Sequence, residues 1–252
     1  MKTLKIVFLL CLLFSCESDN NAAIFLIGDS TMADKPNPDV NPERGWGQML
    51  SLFFDENVTI KNFAVNGRST KSFIDEGRWS SVLSNIKKGD YVFIQFGHND
   101  QKFQDPLRFT NPLTAYRANL VKFVNETRDK GGIPVLFSSI VRRNFNEFGV
   151  LIDTHGIYPL IVRQVADDLD VPFIDLQSKS ENLVLSVGPE KSKEIYLWIE
   201  AGENSLYPEG KQDNTHFSVK GATEMAKLAI EGLKENVLGI TKFLKKIKPN
   251  GL

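Results

Sequence analysis

The sequence is poor in cysteine, with only Cys11 and Cys16 among its 252 residues. Both lie in an N-terminal segment that begins with Lys2 and Lys5 and continues as an apolar run at residues 6–14. This run is too short to cross a bilayer as a helix, but it has the length of a signal-peptide core. We therefore expect the folded part of the protein to have no thiol nucleophile, no disulfide and no cysteine-ligated metal.

Excess charge of either sign is also missing, because 30 basic residues are balanced by 31 acidic ones. Nucleic-acid binding needs a basic surface that displaces counterions, so we expect no nucleic-acid partner. Internal repeats, low-complexity tracts and linkers are likewise absent from the body of the sequence. The length suits one α/β domain.

The residues before Cys16 resemble the lipobox of bacterial lipoproteins, since residues 13–16 are Leu-Phe-Ser-Cys. This resemblance implies a lipoprotein signal peptide at residues 1–15 and a lipid anchor on Cys16. Residues 16–22, which are mostly polar, are then a flexible tether, and residues 23–252 form the folded domain. We expect an exported bacterial lipoprotein of the cell envelope that contacts the membrane only through this anchor. An ordinary secretory signal cut nearby is the alternative.

Apolar strand-like runs alternate with segments of helical periodicity along the body of the sequence. The predicted strands are residues 24–28, 58–63, 91–96, 133–138 and 171–175. The predicted helical segments are residues 46–54, 112–131, 157–169 and 222–233. This alternation predicts an α/β fold with a mostly parallel sheet covered on both faces. Three longer irregular segments, 97–111, 139–154 and 202–215, have the length of functional loops.

A polar group follows the first predicted strand, where the apolar run stops at Gly28 and continues as Asp29, Ser30 and Thr31. Glycine permits a sharp turn. A hydroxyl at the C-terminal end of a buried parallel strand lies where open α/β sheets bind their ligands. Ser30 is therefore a candidate nucleophile. The alternative is a strand followed by a capped helical turn, because such residues often cap helices.

The sequence has only three histidines, His98, His155 and His216. A serine nucleophile needs a general base with a pKa near neutrality, and imidazole is the usual one. Asp213 precedes His216 by three residues, a spacing that lets a carboxylate accept from the imidazole Nδ1–H and fix its tautomer. His216 is therefore the candidate base, although most single histidines are surface or core residues.

Two further strands end on groups that can stabilise an oxyanion. Asn99 follows the third predicted strand, and its side-chain amide is a neutral donor. Gly67 follows the second and offers a backbone N–H with no side chain in the way. An Asx turn at Asn99 and a simple turn at Gly67 are the alternatives. A nucleophile, two oxyanion donors and an Asp-x-x-His pair nevertheless occur in order on the expected fold.

In this combination the chain resembles the SGNH (GDSL-like) hydrolase superfamily, whose four blocks are matched by Gly28-Asp29-Ser30, Gly67, Gly97-His98-Asn99-Asp100 and Asp213-x-x-His216. Further stretches resemble its rhamnogalacturonan acetylesterase branch, namely Gly45-Trp46-Gly47, Asn66-Gly67-Arg68-Ser69, Glu76-Gly77-Arg78-Trp79, Arg142-Arg143-x-Phe145, Asp153-Thr154-His155-Gly156 and Asp213-Asn214-Thr215-His216-Phe217. The resemblance covers nearly the whole mature chain.

This resemblance implies a three-layer α/β/α sandwich with a five-stranded parallel, flavodoxin-like sheet. It implies Ser30 as nucleophile, His216 as base and Asp213 as the residue that orients the base. The oxyanion hole would be the N–H of Ser30, the N–H of Gly67 and the amide of Asn99. No cofactor or metal is implied. His98 and Asp100 together supply only two metal ligands, which make a weak site.

The implied reaction is hydrolysis of acetyl esters on pectic rhamnogalacturonan through acetyl-Ser30. Arg142 and Arg143 follow the fourth predicted strand, and either guanidinium would suit the carboxylate of a galacturonate unit; a structural arginine is the alternative. His98, next to Asn99, is a further expected substrate contact. A helical turn after Ser30 is expected to place a favourable dipole near the oxyanion.

Other functions remain open on the sequence alone. The same fold could serve an esterase for acetylated xylan, peptidoglycan or simple lipid esters. A non-catalytic sugar-binding lipoprotein would be free to lose Ser30, Asn99 or His216, and all three are present. A flavin or nucleotide binder is the alternative at the level of fold. It would need a glycine-rich phosphate loop after the first strand, which residues 28–31 do not supply.

Overall fold

A computed structural model describes residues 21–246 of the chain. Its strands are β1 (Ala22–Gly28), β2 (Glu43–Arg44), β3 (Val58–Asn62), β4 (Tyr91–Gln95), β5 (Ile133–Phe137), β6 (Phe173–Ile174), β7 (Tyr196–Ile199) and β8 (Lys211–Ser218). Its α-helices are α1 (Trp46–Met49), α2 (Thr70–Asp75), α3 (Arg78–Leu83), α4 (Arg117–Asp129), α5 (Tyr158–Leu169), α6 (Leu176–Lys191) and α7 (Val219–Glu235). The predicted signal peptide, Cys16 and most of the predicted tether lie outside the described residues. β1 begins at Ala22, one residue before the predicted domain start.

The five apolar runs form one parallel sheet in the order β3-β1-β4-β5-β6. Every neighbouring pair in it is parallel. Numbered along the chain, these strands have the order 2-1-3-4-5 of flavodoxin-like folds, so the winding direction reverses between β1 and β4. Ligands of open α/β sheets bind at this reversal, beyond the carboxyl ends of the strands.

Alternate side chains of the sheet enter two separate cores. One core joins the sheet to α2, α3, α4 and α5 through strand residues Phe25, Ile27, Val92, Ile94 and Leu136. The other joins it to α1, α6 and α7 through strand residues Ile24, Leu26, Phe93, Val135, Phe137 and Ile174. The strands β1, β4 and β5 are buried on both faces, which explains their nearly continuous apolar runs. The protein is thus the expected three-layer α/β/α sandwich.

A second, antiparallel sheet was not predicted. Its strands have the order β2-β8-β7. β8 begins at Lys211, inside the segment 202–215 that we predicted to be irregular. It contains Asp213 and His216. Its polar sequence, Lys-Gln-Asp-Asn-Thr-His, and the two-residue length of β2 explain why apolar periodicity did not reveal this sheet.

Several boundaries differ from the prediction. β6 spans two residues rather than residues 171–175. The helices α2, α3 and α6 were not predicted, and α1 covers only part of the predicted segment 46–54. Within residues 21–246, no helix is both long enough and apolar enough to cross a membrane.

Candidate active site

Three neighbouring strands bring the candidate groups to one edge of the sheet. Ser30 follows β1, Gly67 follows β3 and Asn99 follows β4. Because β1 lies between β3 and β4, Ser30 stands between the other two residues. This position coincides with the reversal between β1 and β4, where the fold alone predicts a ligand site.

Ser30 lies in a tight turn rather than at the start of a helix. The N–H groups of Met32 and Ala33 both donate to the carbonyl of Asp29, and no helix follows in this segment. The expected helical turn after Ser30 is therefore a single turn, closed by the bond from the Ala33 N–H to the Asp29 carbonyl, and it does not continue into a helix. Gly28 is required because a Cβ on it would lie 2.7 Å from the carbonyl oxygen of Gln95 on the neighbouring strand.

Ser30, His216 and Asp213 form a continuous chain of hydrogen bonds. Ser30 Oγ lies 2.8 Å from His216 Nε2, and His216 Nδ1 lies 2.8 Å from Asp213 Oδ2. Burial alone would raise the pKa of Asp213, but hydrogen bonds from the side chain and backbone of His216 outweigh it and hold that pKa well below its usual range. Asp213 is therefore ionised at neutral pH and fixes the imidazole with Nε2 towards Ser30.

An irregularity in β8 brings Asp213 and His216 onto the same side. Leu197 of β7 pairs with Asp213, but the residue before it, Tyr196, pairs with Phe217. Residues 214–216 are therefore extra on β8 and bulge out of the ladder. Asp213 Oδ1 accepts from the N–H of His216 and so holds the bulge closed.

The predicted oxyanion donors have free N–H groups. Among residues 21–246, the backbone N–H of Ser30 and that of Gly67 meet no acceptor. Gly67 has φ +77°, a left-handed conformation that favours glycine. The Asn99 amide donates one hydrogen to the carbonyl of Arg68 over 3.1 Å, which leaves its other hydrogen available.

Two arginines beside these donors were not singled out by sequence reasoning. Arg108 Nη1 lies 3.4 Å from Asn99 Oδ1 and so favours the orientation in which the amide nitrogen donates. Arg68 Nη1 donates over 2.9 Å to the carbonyl of Asn66, which belongs to the same peptide group as the Gly67 N–H. Polarising that peptide strengthens its N–H as a donor. The position of Arg68 next to Gly67 was the only sequence signal available.

A buried carboxylate–imidazole pair lies directly beneath Ser30. Asp29 Oδ2 and His98 Nδ1 are 3.3 Å apart, and Thr31 donates its N–H and hydroxyl to Asp29 Oδ1. Burial raises the pKa of Asp29, but His98 and Thr31 outweigh it and bring it to about 2. Burial lowers the pKa of His98. His98 is as deeply buried as Asn99, and its Nδ1 is directed towards Asp29.

The two predicted substrate arginines differ sharply. Arg143 is buried, and its guanidinium donates to Pro189, Ser192 and Asn214. Because each of its three nitrogens donates to a neighbour and its plane lies over Trp198, the structure gives Arg143 a structural role instead of the expected substrate contact.

Arg142 is only partly buried and remains available. Its guanidinium donates to Thr154 and to the carbonyl of His98, which are neutral acceptors. Among the described residues no carboxylate lies within 4.0 Å of it. His98 adjoins Asn99, so this positive charge lies close to the candidate oxyanion hole.

Potential metal ligands in the described part of the chain do not cluster. In residues 21–246 no three His, Cys, Asp or Glu side chains are grouped so that they could hold a metal ion. Asp100 is instead engaged by Thr70 and Thr110, and His155 Nε2 lies 2.9 Å from the carbonyl oxygen of Ile140.

Comparison with known proteins identifies the family of the chain. The profile of the GDSL-like Lipase/Acylhydrolase family matches residues 26–223. The chain belongs to this family. It is 45% identical over 212 residues to the rhamnogalacturonan acetylesterase RhgT of Bacillus subtilis, covering 84% of this chain and 89% of RhgT. It is 36% identical to the probable rhamnogalacturonan acetylesterase YesY of the same organism, covering 88% of this chain and 96% of YesY. This GDSL-like hydrolase is therefore an esterase.

More distant similarities include two solved structures and one further sequence. The crystal structure of YxiM from Bacillus subtilis has a TM-score of 0.72 and 25% identity, covering 87% of this chain and 58% of YxiM. The acetylxylan esterase Axe2 of Geobacillus stearothermophilus shares the fold. Its structure has a TM-score of 0.59 and 20% identity, covering 85% of this chain and 96% of Axe2. The uncharacterized lipoprotein YqeF of Bacillus subtilis is 27% identical over 195 residues, which is 69% of this chain and 79% of YqeF.

Proposed function

We propose that this esterase removes acetyl groups from pectic rhamnogalacturonan, with Ser30 as nucleophile, His216 as base and Asp213 as the residue that orients the base. The observation that carries this proposal is the 2.8 Å separation between Ser30 Oγ and His216 Nε2, with Asp213 on the far side of the imidazole. A base within hydrogen-bond reach of a hydroxyl, itself held by a carboxylate, is the arrangement that activates a serine.

The first step acylates Ser30. Oγ attacks the acetyl carbonyl carbon while His216 Nε2 accepts the hydroxyl proton, and Asp213 stabilises the imidazolium that forms. The carbonyl oxygen becomes an oxyanion that accepts from the N–H groups of Ser30 and Gly67 and from the Asn99 amide. Collapse of this intermediate breaks the bond to the sugar oxygen, which leaves with the proton from His216.

The second step regenerates the enzyme. His216 accepts a proton from a water molecule, whose oxygen attacks the carbonyl of acetyl-Ser30 and forms a second oxyanion in the same hole. Breakdown of this intermediate breaks the bond to Ser30 Oγ, which takes the proton from His216, and it releases acetic acid, which ionises to acetate in solvent. In both steps His216 Nε2 carries the proton from the attacking oxygen to the leaving oxygen.

The choice of substrate is supported by the relatives and by Arg142. RhgT, which shares 45% of aligned residues with this chain, is named a rhamnogalacturonan acetylesterase. Rhamnogalacturonan carries a carboxylate on each galacturonate unit, and a guanidinium pairs well with such a group. We assign this contact to Arg142 because no carboxylate of the described chain lies within 4.0 Å of it.

A panel of acetylated polymers tests the substrate. Acetate release is measured on acetylated rhamnogalacturonan, acetylated xylan and acetylated peptidoglycan, with Ser30→Ala as the blank. We expect rhamnogalacturonan to give the highest kcat/KM. A higher value on xylan or peptidoglycan would assign the enzyme to another acetylated polymer. Binding of a polymer without any acetate release would identify a sugar-binding protein instead.

A pair of arginine variants tests the uronate contact. Arg142→Gln should lower kcat/KM on acetylated rhamnogalacturonan by about 10- to 150-fold while acetylated xylan is affected much less, since one charge-assisted contact contributes about 1.5–3 kcal/mol. Arg117→Gln removes an exposed arginine of α4 that pairs with Asp168, and it serves as the matched control. Equal losses on both polymers in Arg142→Gln would reject the contact.

We also propose that the enzyme is held in the cell envelope through a lipid on Cys16. The lipobox-like residues 13–16 support this proposal. The relation to YqeF, which is named a lipoprotein, supports it as well.

A further inference from the structure

Lys35 is the buried cation nearest in sequence to the candidate nucleophile. It follows the turn that carries Ser30, and only 3% of its surface is exposed. Its ammonium donates over 2.7 Å to the carbonyl of Ser30 and over 2.7 Å to Asn66 Oδ1. Glu43 Oε1 lies 2.8 Å away and completes the set. An ammonium has three donors, and here each has an acceptor.

Burying such a group costs free energy that must be offset. The effective desolvation penalty of a buried ion is several kcal/mol, and a salt bridge offsets it only when the remaining hydrogen bonds are also made. A long apolar side chain would fill the same volume without this penalty. Fixing the relative positions of the three acceptors is a role that an apolar side chain cannot fulfil.

Each acceptor of Lys35 belongs to a segment that carries a proposed catalytic group. Ser30 supplies the nucleophile and one oxyanion N–H. Asn66 directly precedes Gly67, which supplies the second N–H. Glu43 lies on β2, where it pairs with Ser218 of β8, the strand that carries His216. The three segments come from different parts of the fold, and their shared contact is one ammonium.

The backbone of Lys35 is itself anchored. Its N–H donates to Gln48 Oε1 over 3.1 Å, and its carbonyl accepts from Gln48 Nε2 over 3.4 Å. Gln48 lies on α1, which packs through Trp46 into the core on one face of the sheet. Lys35 is therefore held at its backbone by α1 and at its ammonium by the three acceptors.

We propose that Lys35 is a positioning residue that sets the distance between the two backbone donors of the oxyanion hole by holding the Ser30 carbonyl and the Asn66 side chain together. This inference rests on the proposed roles of Ser30 and Gly67. Lys35 does not touch substrate and transfers no proton. Its effect is on the transition state, because the N–H groups must converge on an oxygen that carries full charge only there.

The Lys35→Met variant tests this role with p-nitrophenyl acetate, an ester that needs no polymer contacts. We expect kcat to fall by about 10- to 100-fold while KM changes by less than about 3-fold, since displacement of a catalytic group by about 1 Å costs up to about 100-fold. Phenylboronic acid forms a tetrahedral adduct on an active serine. The affinity of the variant for this inhibitor should fall by a similar factor. Lys122→Met, on the exposed face of α4, is the matched control and should change neither quantity.

Two results would overturn the proposal. One is a folded Lys35→Met enzyme, judged by near-ultraviolet circular dichroism, whose kcat stays within about 2-fold of wild type. The other is a loss of kcat with unchanged affinity for phenylboronic acid, which would place the defect outside the oxyanion hole.

A second variant decides the matter if Lys35→Met fails to fold. Asn66→Ala removes one acceptor but keeps the ammonium and its bonds to Ser30 and Glu43. It should lower kcat and boronate affinity together by about 3- to 10-fold, and no change in either would overturn the proposal. Ser30→Ala in the same assay separates this question from the proposed function. An active Ser30→Ala enzyme refutes the nucleophile, whereas an inactive one beside a fully active Lys35→Met enzyme refutes only the role of Lys35.

Discussion

The side-chain amide of Asn99 is held in one orientation by its neighbours. Its Nδ2 donates to the carbonyl of Arg68, and its Oδ1 faces the guanidinium of Arg108. A flipped amide would place its NH₂ group against the guanidinium and its oxygen against a carbonyl. The correct orientation is therefore fixed before substrate arrives, and a preorganised donor is the kind that contributes most to oxyanion stabilisation.

Removal of this donor is the first prediction at the residue scale. Asn99→Ala should lower kcat on p-nitrophenyl acetate by about 100- to 1,000-fold with little change in KM, as for the loss of one oxyanion donor. Steady-state kinetics of the purified variant gives the answer. The adjacent surface variant Lys102→Ala leaves the amide in place and is the control. A kcat within about 5-fold of wild type in Asn99→Ala would remove this residue from the oxyanion hole.

Asp100 gives a prediction about pH because its carboxyl is buried. Burial raises its pKa to about 7, although Thr70 and Thr110 donate hydrogen bonds to it. In the unfolded chain an aspartate has a pKa of about 3.9. Between these two values the folded protein keeps a proton that the unfolded chain has lost. The contribution of Asp100 to the free energy of unfolding therefore falls as pH rises from about 4 to about 7 and is constant above that range.

Urea unfolding of wild type and Asp100→Asn at several pH values measures this contribution. The variant has no titrating group at this position, so the free energy of unfolding of wild type minus that of the variant should fall between about pH 5 and about pH 7. A difference that stays constant or rises over this range would show that the carboxyl is already ionised in the folded protein.

At the scale of elements, Arg143 connects β5 to the bulge of β8. Its N–H donates over 2.9 Å to the carbonyl of Asn214, and its Nη1 donates over 3.1 Å to the side chain of the same residue. Asn214 stands between Asp213 and His216. The loop after β5 thereby holds the segment of β8 that carries the proposed base, His216.

This connection predicts a general rather than a substrate-specific defect in Arg143→Gln. The variant should lower kcat by about 10-fold on acetylated rhamnogalacturonan, acetylated xylan and p-nitrophenyl acetate alike, because a displaced imidazole affects every ester. The ratio of the three losses is the measurement. A loss confined to the acidic polymer would return Arg143 to the substrate contacts that we first expected for it.

The elements also show what the sequence could and could not predict. The strands β1, β4 and β5 were predictable because burial on both faces leaves runs such as Ile24-Phe25-Leu26-Ile27 almost without polar residues. β8 was not, because its polar residues carry the site and its bulge interrupts the alternation. Asp213 and His216 could be paired by their spacing alone. Lys35 and Arg108 could not be identified, since their roles depend on contacts that only the folded chain makes.

At the scale of the whole molecule, the chain enters the sheet opposite the candidate site. β1 starts at Ala22 and ends at Gly28, two residues before Ser30. The six steps between its seven residues, at about 3.3 Å each, separate the two edges of the sheet by about 20 Å. If Cys16 carries a lipid, the chain joins the domain at the edge of the sheet away from Ser30.

The anchor itself gives a prediction in cells. Cys16→Ser should abolish incorporation of labelled palmitate and move the esterase from the membrane fraction to the soluble fraction. The specific activity of the domain should not change, because the site lies at the other edge of the sheet. Cys11→Ser, within the predicted signal peptide, is the control. Continued membrane association and labelling of Cys16→Ser would contradict the lipid anchor.

The central claim is that one hydroxyl at the end of β1 performs the chemistry with an imidazole from β8. The kcat of purified Ser30→Ala on p-nitrophenyl acetate tests it most directly, with correct folding established by circular dichroism. We predict a loss on the order of a million-fold, as found when the nucleophile of a serine triad is removed. A variant that keeps even about a tenth of the wild-type kcat would contradict the account.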